Sequence, residues 1–205
     1  MLKKPGSLHC MKPTVKTPLH LENWFSTDAA LHKLYPEPIR SLARMHWSTL
    51  YISQKVVSYL TPGNNVKVLD IGSGVGKFCL AGAYNKPAVS FYGVEQRKNL
   101  IAYAEAARIK MGLKNVHFIH RNFTQLDLNE FDHFYFYNAF FENLDGTEKI
   151  DNELAYSNEL YNYYSIYLYN QLDKMPIGTR VALIVVGVMR YHHAFNWQKR
   201  ILIIY

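Results

Sequence analysis

The chain has 205 residues, of which 49% are hydrophobic and 19% charged, a composition typical of one globular domain with a sizeable core. It contains no apolar run long enough to span a bilayer, and no apolar stretch follows its basic N-terminus as in a signal peptide. The net charge of +7 arises in residues 1–130, where 17 lysines and arginines outnumber 8 acids. A basic part of this kind either meets an acidic partner such as nucleic acid or is a solvated surface.

The first 60 residues predict an N-terminal extension of short helices. Residues 1–20 contain three prolines and scattered lysines without periodicity, which indicates an irregular arm. A short helix is predicted up to residue 34, a further turn or two over 38–45, and a longer helix over 49–60 with Ser48 as its N-cap. We therefore expect an arm with helices packing on the core over residues 1–60, and one domain over residues 61–205.

Strands and helices alternate regularly after residue 61. The predicted strands cover residues 66–70, 89–94, 116–120, 133–137, 180–186 and 200–204. The predicted helices cover residues 76–84, 98–111 and 151–175, with a short turn or helix over 124–129. This order predicts an α/β fold with a doubly wound, mainly parallel sheet that is covered by helices on both faces.

A glycine-rich turn follows the first of these strands, in the segment Asp70-Ile71-Gly72-Ser73-Gly74-Val75-Gly76. A phosphate-binding P-loop would need a glycine at Ile71 and a hydroxyl at Phe78, so that interpretation fails twice. The dinucleotide fingerprint would need a third glycine where the chain has Lys77. The turn is therefore built for close backbone approach to a ligand of another kind.

Two carboxylates indicate what that ligand is. Asp70 lies inside the motif, where it would repel a phosphate but attract an ammonium group. Glu95 ends the next predicted strand, 19 residues after Gly76, and is placed to accept two hydrogen bonds from a ribose diol. We expect this carboxylate to be exposed at the strand tip. A ribose-bearing ligand that is cationic near the glycines matches S-adenosylmethionine.

The segment from Val66 to about Asn143 resembles the core of class I S-adenosylmethionine-dependent methyltransferases. The resemblance implies a Rossmann-like fold with S-adenosylmethionine as cofactor. It assigns cofactor binding to a set of residues on the predicted loops: Asp70, Gly72, Ser73, Gly74, Gly76, Glu95, Gln96, Asn122, Phe123 and Thr49. Of these, Gln96 and Asn122 would contact the adenine and Phe123 would pack on it. Thr49 would meet the cofactor carboxylate at a helix N-terminus.

The loop after the fourth strand, Asn138-Ala139-Phe140-Phe141, carries the predicted acceptor site. It lacks the two prolines of many amino-methylating relatives and is similar over four residues to the non-SET lysine methyltransferases. The resemblance makes Asn138 the catalytic residue, as an amide that positions the acceptor, while Phe140 or Phe141 could equally belong to the core.

The sequence leaves the methyl acceptor unidentified. A protein lysine is slightly preferred from the Asn138 loop, RNA is second because of the charge, and a small molecule is third. The alternative to an enzyme is a binding module that resembles a methyltransferase but has no activity. A nicotinamide-dependent oxidoreductase is disfavoured by Lys77 and by Asp70.

The remaining residue patterns predict neither metal nor disulfides. No histidine has metal-ligand spacing to cysteines or acids, so no metal is expected. Two cysteines do not form a disulfide framework, which favours a cytoplasmic location without membrane attachment. The C-terminal part departs from the family, because residues 187–199 leave no room for a helix and a strand. Either the end is shortened, with residues 200–204 folding back antiparallel, or the chain stops early.

Overall fold

The computed structural model describes residues 21–184 and 200–204, so the predicted arm over 1–20 and the segment 187–199 lie outside the described residues. The helices are α1 (Leu21–Trp24), α2 (Asp28–His32), α3 (Glu37–Arg40), α4 (Ala43–His46), α5 (Leu50–Leu60), α6 (Lys77–Asn85), α7 (Lys98–Met111) and α8 (Asn158–Asp173). The strands are β1 (Lys67–Ile71), β2 (Ser90–Glu95), β3 (Val116–His120), β4 (His133–Tyr137), β5 (Arg180–Ile184) and β6 (Arg200–Ile204). Short 3-10 turns lie at Phe123–Gln125, Leu128–Glu130 and Phe141–Asn143.

The six strands form one sheet in the order β3-β2-β1-β4-β5-β6, and every neighbouring pair is parallel. The prediction of a doubly wound sheet is confirmed. β1 pairs with β2 on one side and with β4 on the other, so the winding reverses there and opens a crevice at the carboxyl ends of these strands. The alternative that residues 200–204 fold back antiparallel is wrong, because β6 runs parallel to β5 from Arg200 beside Arg180 to Ile204 beside Ile184.

Alternate strand residues face two separate apolar clusters, as the two-residue period of a strand requires. In β4, Tyr135 belongs to the cluster under α5, α6 and α7, whereas Phe134 and Phe136 belong to the cluster under α8. In β1, Val68 faces the first cluster and Leu69 the second. The sheet is thus buried on both faces, and its open positions lie at the strand ends.

The N-terminal helices share the first of these clusters. Leu31 of α2 is fully buried, and Phe25 and Tyr35 are also buried in the same cluster as residues of α5 and α6. Thr49, rather than the predicted Ser48, caps α5, since its hydroxyl accepts the Ile52 amide at 3.3 Å. Among the described residues, no helix has the length and apolar character needed to cross a membrane.

Helix α8 begins seven residues later than predicted, at Asn158 rather than 151. The Ser157 hydroxyl caps it by accepting the Leu160 amide at 3.2 Å. The segment before it is held out of the helix because the Asp151 carboxylate and the Tyr156 hydroxyl both bond to a buried arginine, Arg97. Helical periodicity could not reveal this competing tertiary contact.

Candidate active site

The glycine turn between β1 and α6 adopts backbone angles that only glycine tolerates well. Gly72, Gly74 and Gly76 have φ of +75°, +54° and +77°. A Cβ on Gly72 would lie 2.3 Å from the Cβ of Ala139, and one on Gly76 would lie 2.3 Å from the Phe118 ring. A Cβ on Gly74 would meet nothing within 4 Å. The first and third glycines thus allow close packing, and the second leaves a space beside the turn.

The N-terminal helices support this turn from behind. The Tyr35 hydroxyl donates to the carbonyl of Val75 at 3.1 Å. Lys77, the buried first residue of α6, forms an ion pair with Asp28 of α2 at 2.5 Å. Burial lowers the pKa of Lys77, while Asp28 opposes that shift. The turn is therefore held by contacts from α2 as well as by its own glycines.

The structure does not bring Thr49 to the candidate site. Its hydroxyl caps α5, and the amide of the next residue, Leu50, already donates to the Asp28 carboxylate at 3.0 Å. The N-terminus of α5 is therefore occupied by a carboxylate of the protein. The sequence suggested a free helix end there because it could not show that α2 packs against it.

Asp70 lies beneath the glycine turn, where 3% of its surface is exposed. The pKa of its carboxyl is raised to about 8, because burial and, less strongly, Glu95 raise it, while the thiol of Cys79, which donates at 3.7 Å, lowers it. A cation arriving next to the turn would favour the ionised form of this carboxyl. This electrostatic setting suits the predicted role of Asp70 towards an ammonium group.

Glu95, at the end of β2, is held in a fixed orientation. One carboxylate oxygen accepts the amide of Gly74 at 3.2 Å and the other accepts the amide of Arg97 at 2.9 Å. Burial raises its pKa, and these bonds together with the Arg97 guanidinium oppose that shift. The expectation that Glu95 is exposed is wrong, since only 6% of its surface is accessible, because Arg97 and the turn close around it.

Arg97 is the centre of a buried ionic cluster that sequence reasoning missed. Its guanidinium bonds both carboxylate oxygens of Glu142 at 2.9 and 3.0 Å, the Asp151 carboxylate at 3.0 Å and the Tyr156 hydroxyl at 2.6 Å. Glu95 lies 3.6 Å away as a third carboxylate. The position of Arg97 two residues after Glu95 is the one available signal in the sequence, but its partners Glu142 and Asp151 lie 45 and 54 residues further on.

A cavity of about 270 Å³ lies at the carboxyl ends of β1 and β2 and beside the loop after β4. One wall is aromatic, with Phe123 stacked on Phe140 at a centroid distance of 5.1 Å and Tyr164 against both rings. Gln96 and Glu95 line the cavity beside these rings. An aromatic wall next to an oriented carboxylate is suited to a nucleoside, which offers a flat base and a diol.

A smaller cavity of about 90 Å³ continues on the other side of Glu95. It is lined by Gly74 of the turn, His46 and Trp47 of the N-terminal part, and Asn138 and Phe141 of the loop after β4. The two cavities share five residues: Gly72, Glu95, Arg97, Ala139 and Glu142. A ligand longer than a nucleoside can therefore extend past Glu95 from one cavity into the other.

The predicted cofactor residues divide into two groups. Five of them line one or both of these cavities: Gly72, Gly74, Glu95, Gln96 and Phe123. The Ser73 hydroxyl instead points at β2, since a Cβ on Gly93 would lie 2.6 Å from it. The side-chain amide of Asn122 donates to Gln96 at 3.1 Å and to the Tyr164 hydroxyl at 2.9 Å, so it supports the cavity wall.

The two aromatic residues of the loop after β4 lie in different surroundings. Phe140 is buried and stacks in the aromatic wall, whereas Phe141 lines the smaller cavity. Asn138 lines the same cavity and has a left-handed φ of +46°. Non-glycine residues with such angles cluster at functional sites, although asparagine also adopts them in ordinary turns. Within the described ranges, no cluster of three or more metal-ligating side chains occurs.

The comparisons with known proteins agree with this geometry. The chain matches a family model described as a methyltransferase domain over residues 62–160. It is 50% identical over 54 residues to a tRNA (guanine-N(7)-)-methyltransferase of Synechococcus sp. (strain JA-3-3Ab), covering 26% of this chain and 23% of that protein. A protein of the same name from Nostoc sp. (strain PCC 7120) is 31% identical over 84 residues, covering 35% of this chain and 38% of the relative.

Among solved structures, an RNA methyltransferase from Salinibacter ruber in complex with S-adenosyl-L-homocysteine has 17% identity and a TM-score of 0.47. The match covers 64% of this chain and 72% of that one. The chain spans well under half the length of the curated relatives it matches.

A doubly wound parallel sheet, a glycine turn after β1 and an oriented carboxylate after β2 define a nucleoside-binding α/β protein, and the family match specifies its class. The chain contains a class I methyltransferase domain, whose cofactor is S-adenosylmethionine. The cavities fit this cofactor, because the larger suits its adenosine and the junction at Glu95 leads to a second cavity for its amino-acid arm.

We expect Glu95→Gln to weaken cofactor binding by about 1.5–3 kcal/mol, the usual contribution of a charged hydrogen-bonding partner. Titration calorimetry with S-adenosylhomocysteine measures the loss. Glu105→Gln is the matched control, since it breaks a surface ion pair with Arg108 and leaves the cavities untouched. Equal affinities of the Glu95 variant and the unchanged protein would remove Glu95 from the binding site.

Proposed function

We propose that this chain transfers a methyl group from S-adenosylmethionine to RNA, with N7 of a guanine base as the first candidate for the accepting atom. The observation that carries the proposal is the similarity to tRNA (guanine-N(7)-)-methyltransferases, which reaches 50% identity over 54 residues. The matched part is about a quarter of this chain, so the identity of the acceptor is a proposal based on that part and is not transferred from the activity of the whole relative.

The charge distribution supports an RNA acceptor. Lysines and arginines exceed acids by nine over residues 1–130, whereas residues 131–205 have a balance of −2. The expected preference for a protein lysine rested on the four residues 138–141, of which Phe140 is committed to the aromatic wall. The relatives' names favour RNA over that lysine.

The site favours a mechanism based on positioning. The cofactor supplies a methyl group on a sulfonium sulfur, and its transfer to a nucleophile is an in-line displacement. The glycine turn and Glu95 hold the cofactor, and Asn138 orients the acceptor in the smaller cavity. The N7 atom of guanine carries a free lone pair, so no proton has to be removed before attack. Alignment alone can be worth about 7–11 kcal/mol in such a reaction.

Label transfer tests the acceptor directly. Purified protein is incubated with cofactor carrying a labelled methyl group and with cell extract, and the products are treated with RNase or with protease. We expect RNase to release the label and protease to leave it in place. Digestion of the RNA to nucleosides should then place the label in 7-methylguanosine. Label that resists RNase but is released by protease would show a protein acceptor and overturn the proposal.

A further inference from the structure

The amino-acid arm of the cofactor ends in an ammonium and a carboxylate, and each needs a partner of opposite charge. With adenosine in the larger cavity, this arm would extend past Glu95 into the smaller cavity, because the two cavities share Glu95 in their lining. Carboxylates that can meet the ammonium are plentiful there, since Glu95, Glu142 and Glu148 all line the smaller cavity. The group that meets the carboxylate is less evident.

Most backbone amides of the glycine turn, and those at the N-terminus of α5, already have partners. In the glycine turn, the amides of Gly72 and Ser73 both donate to the carbonyl of Val94, and the amide of Gly74 donates to Glu95. The N-terminus of α5 is bonded by the Asp28 carboxylate and by its own cap. A cofactor carboxylate would have to displace these partners.

Arg97 is equally unsuitable, although it lines the cavity. Its guanidinium is enclosed by Glu142 and Asp151 at hydrogen-bonding distance and by Glu95 at 3.6 Å. A fourth carboxylate brought to Arg97 would lie beside three negative charges, which makes this position unfavourable.

Among the described residues that line this cavity, His46 is the remaining one whose side chain can carry a positive charge. It is the last residue of α4, is half-buried, and lies beside Trp47, which also lines the cavity. Glu142 and Glu148 face it from the loop after β4, Arg97 faces it from the start of α7, and Arg44 of its own helix contacts Glu148 at 3.8 Å. A protonated imidazole here could donate a charge-assisted hydrogen bond to a carboxylate.

We propose that His46 in its protonated form binds the carboxylate of the cofactor's amino-acid arm, so that this contact takes up a proton. This inference rests on the proposed use of S-adenosylmethionine and is independent of the acceptor. It makes His46 a binding residue that selects cofactors with a complete amino-acid arm over truncated adenosyl compounds.

The electrostatics of the free protein give this proposal its pH dependence. Burial lowers the pKa of His46, Glu142 and Glu148 raise it, and Arg97 lowers it, with a net shift downward. A bound carboxylate raises the pKa again. The affinity for the cofactor is therefore highest at a pH below the pKa that His46 has in the free protein. It falls as the pH rises from that value to the higher pKa that His46 has in the complex.

The test compares S-adenosylhomocysteine with its decarboxylated analogue by calorimetry between about pH 6 and about pH 8. Both ligands keep the amine, so any titration of Asp70 cancels in the ratio of their affinities. We expect this ratio to fall about tenfold over the interval in the unchanged protein, and the binding of S-adenosylhomocysteine to take up more protons than the binding of the analogue. His46→Gln should make the ratio small and independent of pH, whereas His46→Lys should make it large and independent of pH.

Two results would overturn the inference. A ratio that does not vary with pH in the unchanged protein, while S-adenosylhomocysteine binds, removes His46 from the carboxylate and leaves the proposed function intact. A His46→Gln variant that keeps the pH dependence assigns it to another group. A protein that binds neither ligand overturns the cofactor assignment itself, which is a distinguishable outcome.

Discussion

Asn138→Gly should reduce turnover by about a hundred- to a thousandfold while leaving cofactor affinity within a few-fold, because in the proposed mechanism the side chain acts on the acceptor and the transition state. The loss corresponds to one transition-state hydrogen bond of about 2.7–4 kcal/mol. Glycine is chosen because Asn138 has a φ of +46°, and alanine would add backbone strain to the lost amide. Label transfer to RNA measures turnover, and calorimetry measures cofactor affinity.

Asn65→Gly provides a matched control. Asn65 is the other non-glycine residue with positive φ in the described part of the chain, at 62°, and it lies in the turn before β1 away from both cavities. Both variants relieve a left-handed asparagine, so their effects on thermal stability should be similar. If turnover of the Asn138 variant stays equal to that of the Asn65 variant, the acceptor is positioned elsewhere.

Arg97→Met should lower the free energy of unfolding by about 3–5 kcal/mol, since it leaves Glu142 and Asp151 as uncompensated acids in a largely buried cluster. For a chain of this size the melting temperature should fall by roughly 6–20 °C. Thermal unfolding followed by circular dichroism measures the change. Arg108→Met is the control, within the helix α7 that Arg97 directly precedes. The ion pair of Arg108 with Glu105 is about one-third exposed and contributes less than about 1 kcal/mol.

The double variant Arg97→Met with Glu142→Leu separates charge from packing. If the buried acid causes the loss, removing it as well should recover about 0.5–3 kcal/mol relative to the sum of the single effects. Additive single effects would show that Arg97 stabilises through its packing, and the ionic cluster would then have little role in holding the segment before α8.

The glycine turn and the position of Glu95 beside it could be predicted because their determinants are local in sequence. Gly72, Gly74 and Gly76 need left-handed backbone angles that a turn between a strand and a helix imposes, and Glu95 is placed by the end of the adjacent strand. The parallel sheet could also be predicted from local patterns. Apolar residues recur with different periods in buried strands and in the helices that cover them, so the alternation of the two patterns along the chain predicts the sheet.

The features that the sequence did not predict depend on contacts between segments that are distant in the chain. Asp28 occupies the end of α5 that was assigned to the cofactor, and Arg97 draws Asp151 and Tyr156 out of the helix predicted to start at residue 151. His46 and Asn138, which are 92 positions apart in sequence, likewise line the same cavity. A sequence determines which backbone angles and strand ends are available. Tertiary packing decides which charged groups are buried together, because the electrostatic energy between such groups depends on their distances, and no local sequence pattern contains those distances.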